Sequence, residues 1–302
     1  MFGSGADFFL LFKNLRQLFK SADLPKGMAF TYLLAPLEDV SDNALRTLCY
    51  RHGADLTFTE MTRVEGLARK NAATWSRLEM HDETPTLIQL LAAKEERLKR
   101  FLSLFEPAPC FKGFNFNVGC PSPDVTNLGQ GAAMVKRISK LNKLVAIVKD
   151  SGYPISLKMR LGLNAFEKHK KAYLNTIKAV DADFFIVHSR HGGEIYDEPA
   201  DWSVYPECVA TGKPIYANGD VETREDVDKL RALGVAGVML GRAAVRNPAI
   251  FGILKGKPAP SFEELKKEYL ALAERFNSPI KYRKNVLWYL GTEKKEDLPA
   301  SG

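Results

Sequence analysis

An α/β fold, a (β/α)8 TIM barrel with a short C-terminal helical appendage, is predicted by three observations. Short apolar runs alternate with helical patterns along most of the chain, the signature of repeated βα units on a parallel sheet. Runs such as FFIVH (184–188) and VAGVML (235–240) are apolar on successive positions, as in strands covered on both faces. Eight such units fit into roughly 220 residues, the size of one such barrel. A doubly wound open sheet is the alternative, but no GxGxxG motif follows the first strand.

The elements follow in order. Residues 1–30 are an N-terminal extension, and residues 31–254 form the barrel. The extension has a short apolar stretch followed by basic residues, the reverse of a secretory signal. Strands are expected at 32–35, 56–60, 86–90, 113–117, 155–160, 184–188, 214–218 and 236–240. Helices are expected at 42–52, 94–105, 136–150, 166–180 and 223–233 between them. Ser41 is the expected cap of the first helix and Gly53 its stop, and Gly234 closes the last. Beyond Gly252 the segment KGKPAP (255–260) is a linker. Ser261 and Glu264 then make a capping box for a helix to about Phe276. A second helix near 282–290 and a disordered tail complete the appendage, 255–302.

The bulk numbers narrow the class. The chain has 302 residues, 45% hydrophobic and 26% charged, enough for a large core in an ordinary globular composition. Its net charge of +7 is compatible with a polyanionic partner such as RNA. Cys49, Cys110, Cys120 and Cys208 lie far apart, with no CxxC pair and no His at ligand spacing. That argues against disulfides and a metal site and suits a reducing cytoplasm. No apolar run reaches the roughly 18–20 residues that span a bilayer, so no membrane association is expected.

Active sites of this fold gather at the C-terminal strand ends. Here those ends carry Glu60, Gln89, Asn117, Lys158 with Arg160, His188 with Arg190, Asn218 with Asp220, and Gly241 with Arg242. One polar strand end is an ordinary loop cap; nearly a full ring of them is a site. The loops after strands seven and eight, Asn218-Gly219-Asp220 and Gly241-Arg242 before a helix, suit a phosphate group. Cys120, between Gly119 and Pro121 on the loop after strand four, is the candidate proton donor or nucleophile. Cys49 and Cys208 fall in helical patterns and read as small core residues.

Several segments together resemble one family. They are Ala35-Pro36-Leu37 through Ser41-Asp42, RTLCYRHGADLTFTEM (46–61), Leu87-Ile88-Gln89-Leu90 and NVGCPSP (117–123), then SLKMRLG (156–162), VHSRH (187–191), ANGDV (217–221) and LGRAAVRNPAIF (240–251). In this order, each at a strand end, they resemble the tRNA-dihydrouridine synthases from about residue 33 to 251. The resemblance implies FMN as cofactor, NADPH or NADH as reductant, tRNA as substrate, and reduction of the uridine C5–C6 bond.

Carried over residue by residue, it puts Pro36, Leu37 and Glu38 around the flavin, largely through backbone. Gln89 would meet the isoalloxazine edge, Lys158 the N1/O2 region and His188 the polar side of the ring. Asn218, Gly219, Asp220, Gly241 and Arg242 would hold the ribityl chain and phosphate. Cys120 would be the catalytic acid and Asn117 would sit near the target base. Arg160 and Arg190 are candidates for contact with base or RNA backbone. The appendage, with Arg275, Phe276, Lys281, Tyr282, Arg283 and Lys284, would hold tRNA.

The first loop departs from the family. It reads Leu-Glu-Asp-Val (37–40), and a shared cofactor pose requires Glu38 and Asp39 to turn their carboxylates from the flavin phosphate. Two other functions remain open on the residues alone: an FMN reductase of a free pyrimidine or other small molecule, and a non-catalytic tRNA-binding barrel.

Overall fold

The computed structural model describes residues 30–292. Most of the expected extension and the tail lie outside them. Nine strands form one parallel sheet: β1 Thr31–Leu34, β2 Thr57–Phe58, β3 Thr62–Arg63, β4 Thr86–Leu91, β5 Phe111–Val118, β6 Ile155–Arg160, β7 Phe185–His188, β8 Ile215–Asn218 and β9 Gly237–Leu240. Their order is β1-β9-β8-β7-β6-β5-β4-β2, with β3 also on β4. A parallel bridge between Leu33 and Leu56 closes the ring, and Leu34 N–H donates to Leu56 O at 3.0 Å. This is the (β/α)8 barrel.

The expected second strand, 56–60, is shortened to Thr57–Phe58, a further strand, Thr62–Arg63, lies beyond it, and the regular pairing with β4 lapses around Thr59. Its Oγ1 accepts the Gln89 N–H at 3.1 Å, where a main-chain carbonyl would otherwise serve. The expected helix 166–180 is two, Ala165–His169 and Ala172–Ala179. Lys171 between them has φ 53°, in the left-handed region, and the first piece is capped by Asn164. The first helix, Asn43–Arg51, is capped by Asp42, whose carboxylate accepts the Leu45 N–H at 2.9 Å. Ser41, the expected cap, instead exchanges hydrogen bonds with Leu37 and closes the loop after β1.

Inward side chains recur every second residue on each strand. Leu33, Leu56, Phe58, Leu87, Phe184, Ile186, Tyr216 and Met239 fill the lower barrel as one apolar cluster. Two residues further up the same phase come Gln89, His188 and Asn218. The apolar plug therefore becomes polar at the C-terminal strand ends while these side chains keep their inward phase. A larger cluster between the sheet and the helices carries most of the hydrophobic burial.

The appendage is two helices, Phe262–Arg275 and Ile280–Tyr289, and the Ser261–Glu264 capping box is formed. They dock on the barrel rather than standing away from it. Tyr269, Leu272, Val286 and Tyr289 are buried. Among the described residues no helix is long and apolar enough to cross a membrane.

Candidate active site

An open cleft lies at the C-terminal ends of the strands. The structure brings every sequence-predicted site residue to its walls. Pro36, Leu37 and Glu38 form one side; Gln89, Asn117 and Cys120 the next; Lys158, Arg160, His188 and Arg190 the floor and far side. Asn218, Gly219, Asp220, Gly241 and Arg242 complete the ring. Of the polar strand ends, Glu60 alone does not line it.

A chain of buried side-chain amides organises the thiol side. Asn115 Nδ2 donates to Ser156 Oγ at 2.8 Å, Gln89 Nε2 to Asn115 Oδ1 at 2.7 Å, and Asn117 Nδ2 to Gln89 Oε1 at 3.0 Å. Asn117 Oδ1 in turn accepts the N–H groups of Gly119 at 3.0 Å and Cys120 at 2.8 Å. The Asn117 side chain is thus committed to holding the cysteine loop. The far end of that loop is held by Ala132 N–H on Cys120 O at 2.9 Å. Gly131 makes this closeness feasible: at φ 56°, a Cβ there would stand 2.4 Å from Cys120 O.

Cys120 lines the cleft with Leu91, Val125 and Met61 packed behind it. Burial pushes its thiol up; the Ser122 backbone hydrogen bond and the charges of Lys158 and Arg160 pull the other way, but burial prevails. The thiol therefore keeps its proton at neutral pH. Lys158 moves down to about 8, first through burial and then through the Arg160 charge. It is still mostly cationic at neutral pH. Burial, with Arg160, Lys158, Arg190 and Arg242 around it, holds His188 well below the usual imidazole range, so its ring is neutral. Its Nε2 lies 3.3 Å from Arg190 Nη1, and a guanidinium only donates, which puts the histidine proton on Nδ1.

Arg190 is wholly buried. Its guanidinium holds Glu198 O (Nε, 2.8 Å), Tyr196 O (3.2 Å) and Asp220 Oδ2 (2.5 Å), so it braces the loop after β7. Arg160 does similar work on His191 O at 2.8 Å. Asp220 also accepts the Ala200 N–H at 2.9 Å, and Arg242 lies 3.4 Å from its other oxygen. Gly219, at φ 114°, lets the turn pass His188, whose ring a Cβ would meet at 3.0 Å. Trp202 Nε1 fixes that turn by donating to Gly219 O at 3.1 Å.

Sequence reasoning missed Tyr196. It lines the cleft, its ring 4.1 Å from the Arg242 guanidinium carbon and stacked toward His188 at 6.2 Å. It sits mid-loop, beyond any strand end, and a lone Tyr among Gly, Asp and Pro carries no local signal. Met61 was missed for a similar reason; Asn117 Nδ2 approaches its sulfur at 3.7 Å. Cys49, Cys110 and Cys208 are free and buried, away from the cleft.

The appendage residues divide. Phe276 stacks on His81, Tyr282 bonds to Glu60, and Arg283 donates to Ser278 O and Ala273 O at 2.8 and 2.9 Å. Lys284 faces outward.

The dihydrouridine synthase family model matches residues 33–297. A probable tRNA-dihydrouridine synthase of Rhizobium leguminosarum bv. phaseoli is 30% identical over 285 residues, covering 87% of this chain and 88% of that one. A probable tRNA-dihydrouridine synthase 2 of Bacillus subtilis is 30% identical, over 73% of this chain and 70% of its own. The tRNA-dihydrouridine synthase B of Pseudomonas putida is 27% identical, over 86% and 82%. With a match this extensive, and with the family's motifs meeting at one cleft, the chain belongs to the dihydrouridine synthase family.

Proposed function

We propose that this protein reduces the C5–C6 double bond of uridines in tRNA, using FMN and NADPH or NADH, in the cytoplasm. The observation that carries the reading is the convergence on one cleft of a protonated thiol, a half-buried lysine and a glycine-lined turn beside a helix start. The residues present fit FMN. Gly219 and Gly241 leave backbone room on the cleft wall, and Arg242 begins the helix Arg242–Arg246 beside them. The 1–30 extension, 31–254 barrel and 255–302 appendage are the working division of the chain.

When bound, FMN supplies the hydride. Uracil that has received hydride at C6 carries negative charge at C5 and O4, and C5 must take a proton. The Cys120 thiol gives it, and Lys158 and Arg160, which favour the thiolate, offset the charge left on sulfur. Lys158 is also the cation that balances a reduced flavin. Asn117 keeps the thiol aimed by fixing the main chain on either side of Gly119. Pro36, Leu37, Glu38, Gln89, His188, Asn218, Gly219, Asp220, Gly241 and Arg242 form the cofactor wall in this reading. Arg160 and Arg190 support the substrate side, together with Tyr196, whose ring offers a stacking surface for a base drawn out of folded RNA.

The test is direct. Purified protein should be yellow and, given NADPH and unmodified tRNA, should form dihydrouridine. Turnover of free pyrimidines without any tRNA product would replace this reading by that of a small-molecule reductase.

A further inference from the structure

The two carboxylates of the first loop, Glu38 and Asp39, each have a cationic partner. Loop 36–40 is one wall of the cleft, through Pro36, Leu37 and Glu38. Asp39, at φ 57°, does not line that wall. Its carboxylate meets Lys281 Nζ at 2.5 Å, and its carbonyl accepts Asn285 Nδ2 at 2.9 Å. Between these two on the same helix, Tyr282 OH donates to Glu60 Oε2 at 3.0 Å. Arg77 Nη1 stands 3.6 Å from that same oxygen and 3.3 Å from Glu38 Oε1. The last helix therefore reaches the cleft wall twice: directly at Asp39, and through Glu60 and Arg77 at Glu38.

From these contacts we propose that the helix Ile280–Tyr289 is a positioning element of the active cleft, with Lys281, Tyr282 and Asn285 holding loop 36–40 against whatever the cleft binds. The inference rests on the proposed function only for the identity of that ligand. The ties differ in strength. Lys281 is largely exposed, and a surface ion pair of this kind is worth about two- to fivefold in an equilibrium. Tyr282 to the buried Glu60 is a hydrogen bond to an acid sheltered from water, and its loss costs about tenfold. The Asn285 contact restrains the backbone whatever the charge on Asp39. The helix thus has a second duty besides any contact with RNA: it completes the cofactor wall from behind.

Tyr282→Phe, Lys281→Glu and Lys281→Arg, made in the full chain, test this. Backbone hydrogen exchange is followed in loop 36–41 and in β6 and β7, and flavin release is followed by fluorescence. In Tyr282→Phe, exchange in 36–41 should rise about tenfold and flavin affinity fall by a similar factor, with β6 and β7 as in the wild type. Lys281→Glu should give the same pattern at about two- to fivefold, and Lys281→Arg should behave as wild type. Unchanged exchange in 36–41 in both Tyr282→Phe and Lys281→Glu, or a uniform rise through β6 and β7, overturns the proposal. A wild-type protein that binds no flavin but whose loop still responds to these substitutions sinks the FMN reading and leaves this one standing.

Discussion

A thiol that is to give up a proton on demand must hold it until then, and Cys120 is placed to do so. Its burial disfavours the thiolate, while Lys158 and Arg160 lower the cost of that thiolate once the proton has gone. Removing the sulfur should separate the two halves of the reaction. In Cys120→Ala, reduction of bound flavin by NADPH should proceed as in the wild type. Dihydrouridine formation should fall by roughly 10²-fold or more, the usual worth of a positioned acid. Stopped-flow absorbance checks the first and product analysis the second; undiminished tRNA reduction would remove Cys120 from the mechanism. Lys158 gives a pH signature. It is a cation below about 8 and neutral above, so its help to a negatively charged reduced flavin is present at pH 7 and lost as pH rises through about 8. The rate of flavin reduction should decline across that interval. Lys158→Met should be slower at pH 7 and should lack the transition.

Strand five and the loop that follows it show how much chemistry depends on elements that touch no ligand. The amide chain Ser156–Asn115–Gln89–Asn117 runs across three neighbouring strands and ends on the Gly119 and Cys120 N–H groups. Asn117→Ala leaves those two donors and Gln89 Oε1 without these partners, at about 1–3 kcal/mol for each that water cannot reach. The variant should unfold at lower urea and lose activity beyond its loss of stability, because the thiol is no longer aimed. Activity that tracks stability alone would mean that Asn117 is only a core residue. The strand phases were legible because a two-residue period puts Leu87 and Gln89, or Ile186 and His188, on one face whatever the tertiary context. The breaks were not. The lapse in pairing around Thr59 goes with a hydroxyl bonding to the Gln89 N–H across the sheet, and the split at Lys171 with a left-handed residue that no glycine announces. The site ring was legible for the same reason as the strands, since it sits at their ends. Tyr196 was not, because only the folding of the 189–200 loop over Arg190 brings it to the cleft.

At the scale of the whole molecule, the question is where a chain of net charge +7 presents that charge to RNA. The sequence of the last helix suggests a run of cations, Lys281, Arg283 and Lys284, yet the fold spends two of them internally. Lys281 is paired with Asp39, and Arg283 caps the turn at Ser278 O and the preceding helix at Ala273 O. Lys284 is exposed, on the same outward stripe as Ile280 and Trp288, which are 71% and 64% exposed. These residues recur every four positions and so share one face of the helix. A cation that meets a phosphate releases counterions, which makes its contribution visible as salt dependence. Lys284→Ala should therefore weaken tRNA binding at low salt and reduce the slope of log K against log salt by about one unit. Arg283→Ala should leave the slope as it is and lower thermal stability, because its guanidinium serves two carbonyls rather than a phosphate. Binding curves for both variants over a salt series, with melting temperatures measured alongside, distinguish the two residues. An unchanged slope in Lys284→Ala would move the RNA contact off this helix and onto other basic parts of the catalytic face.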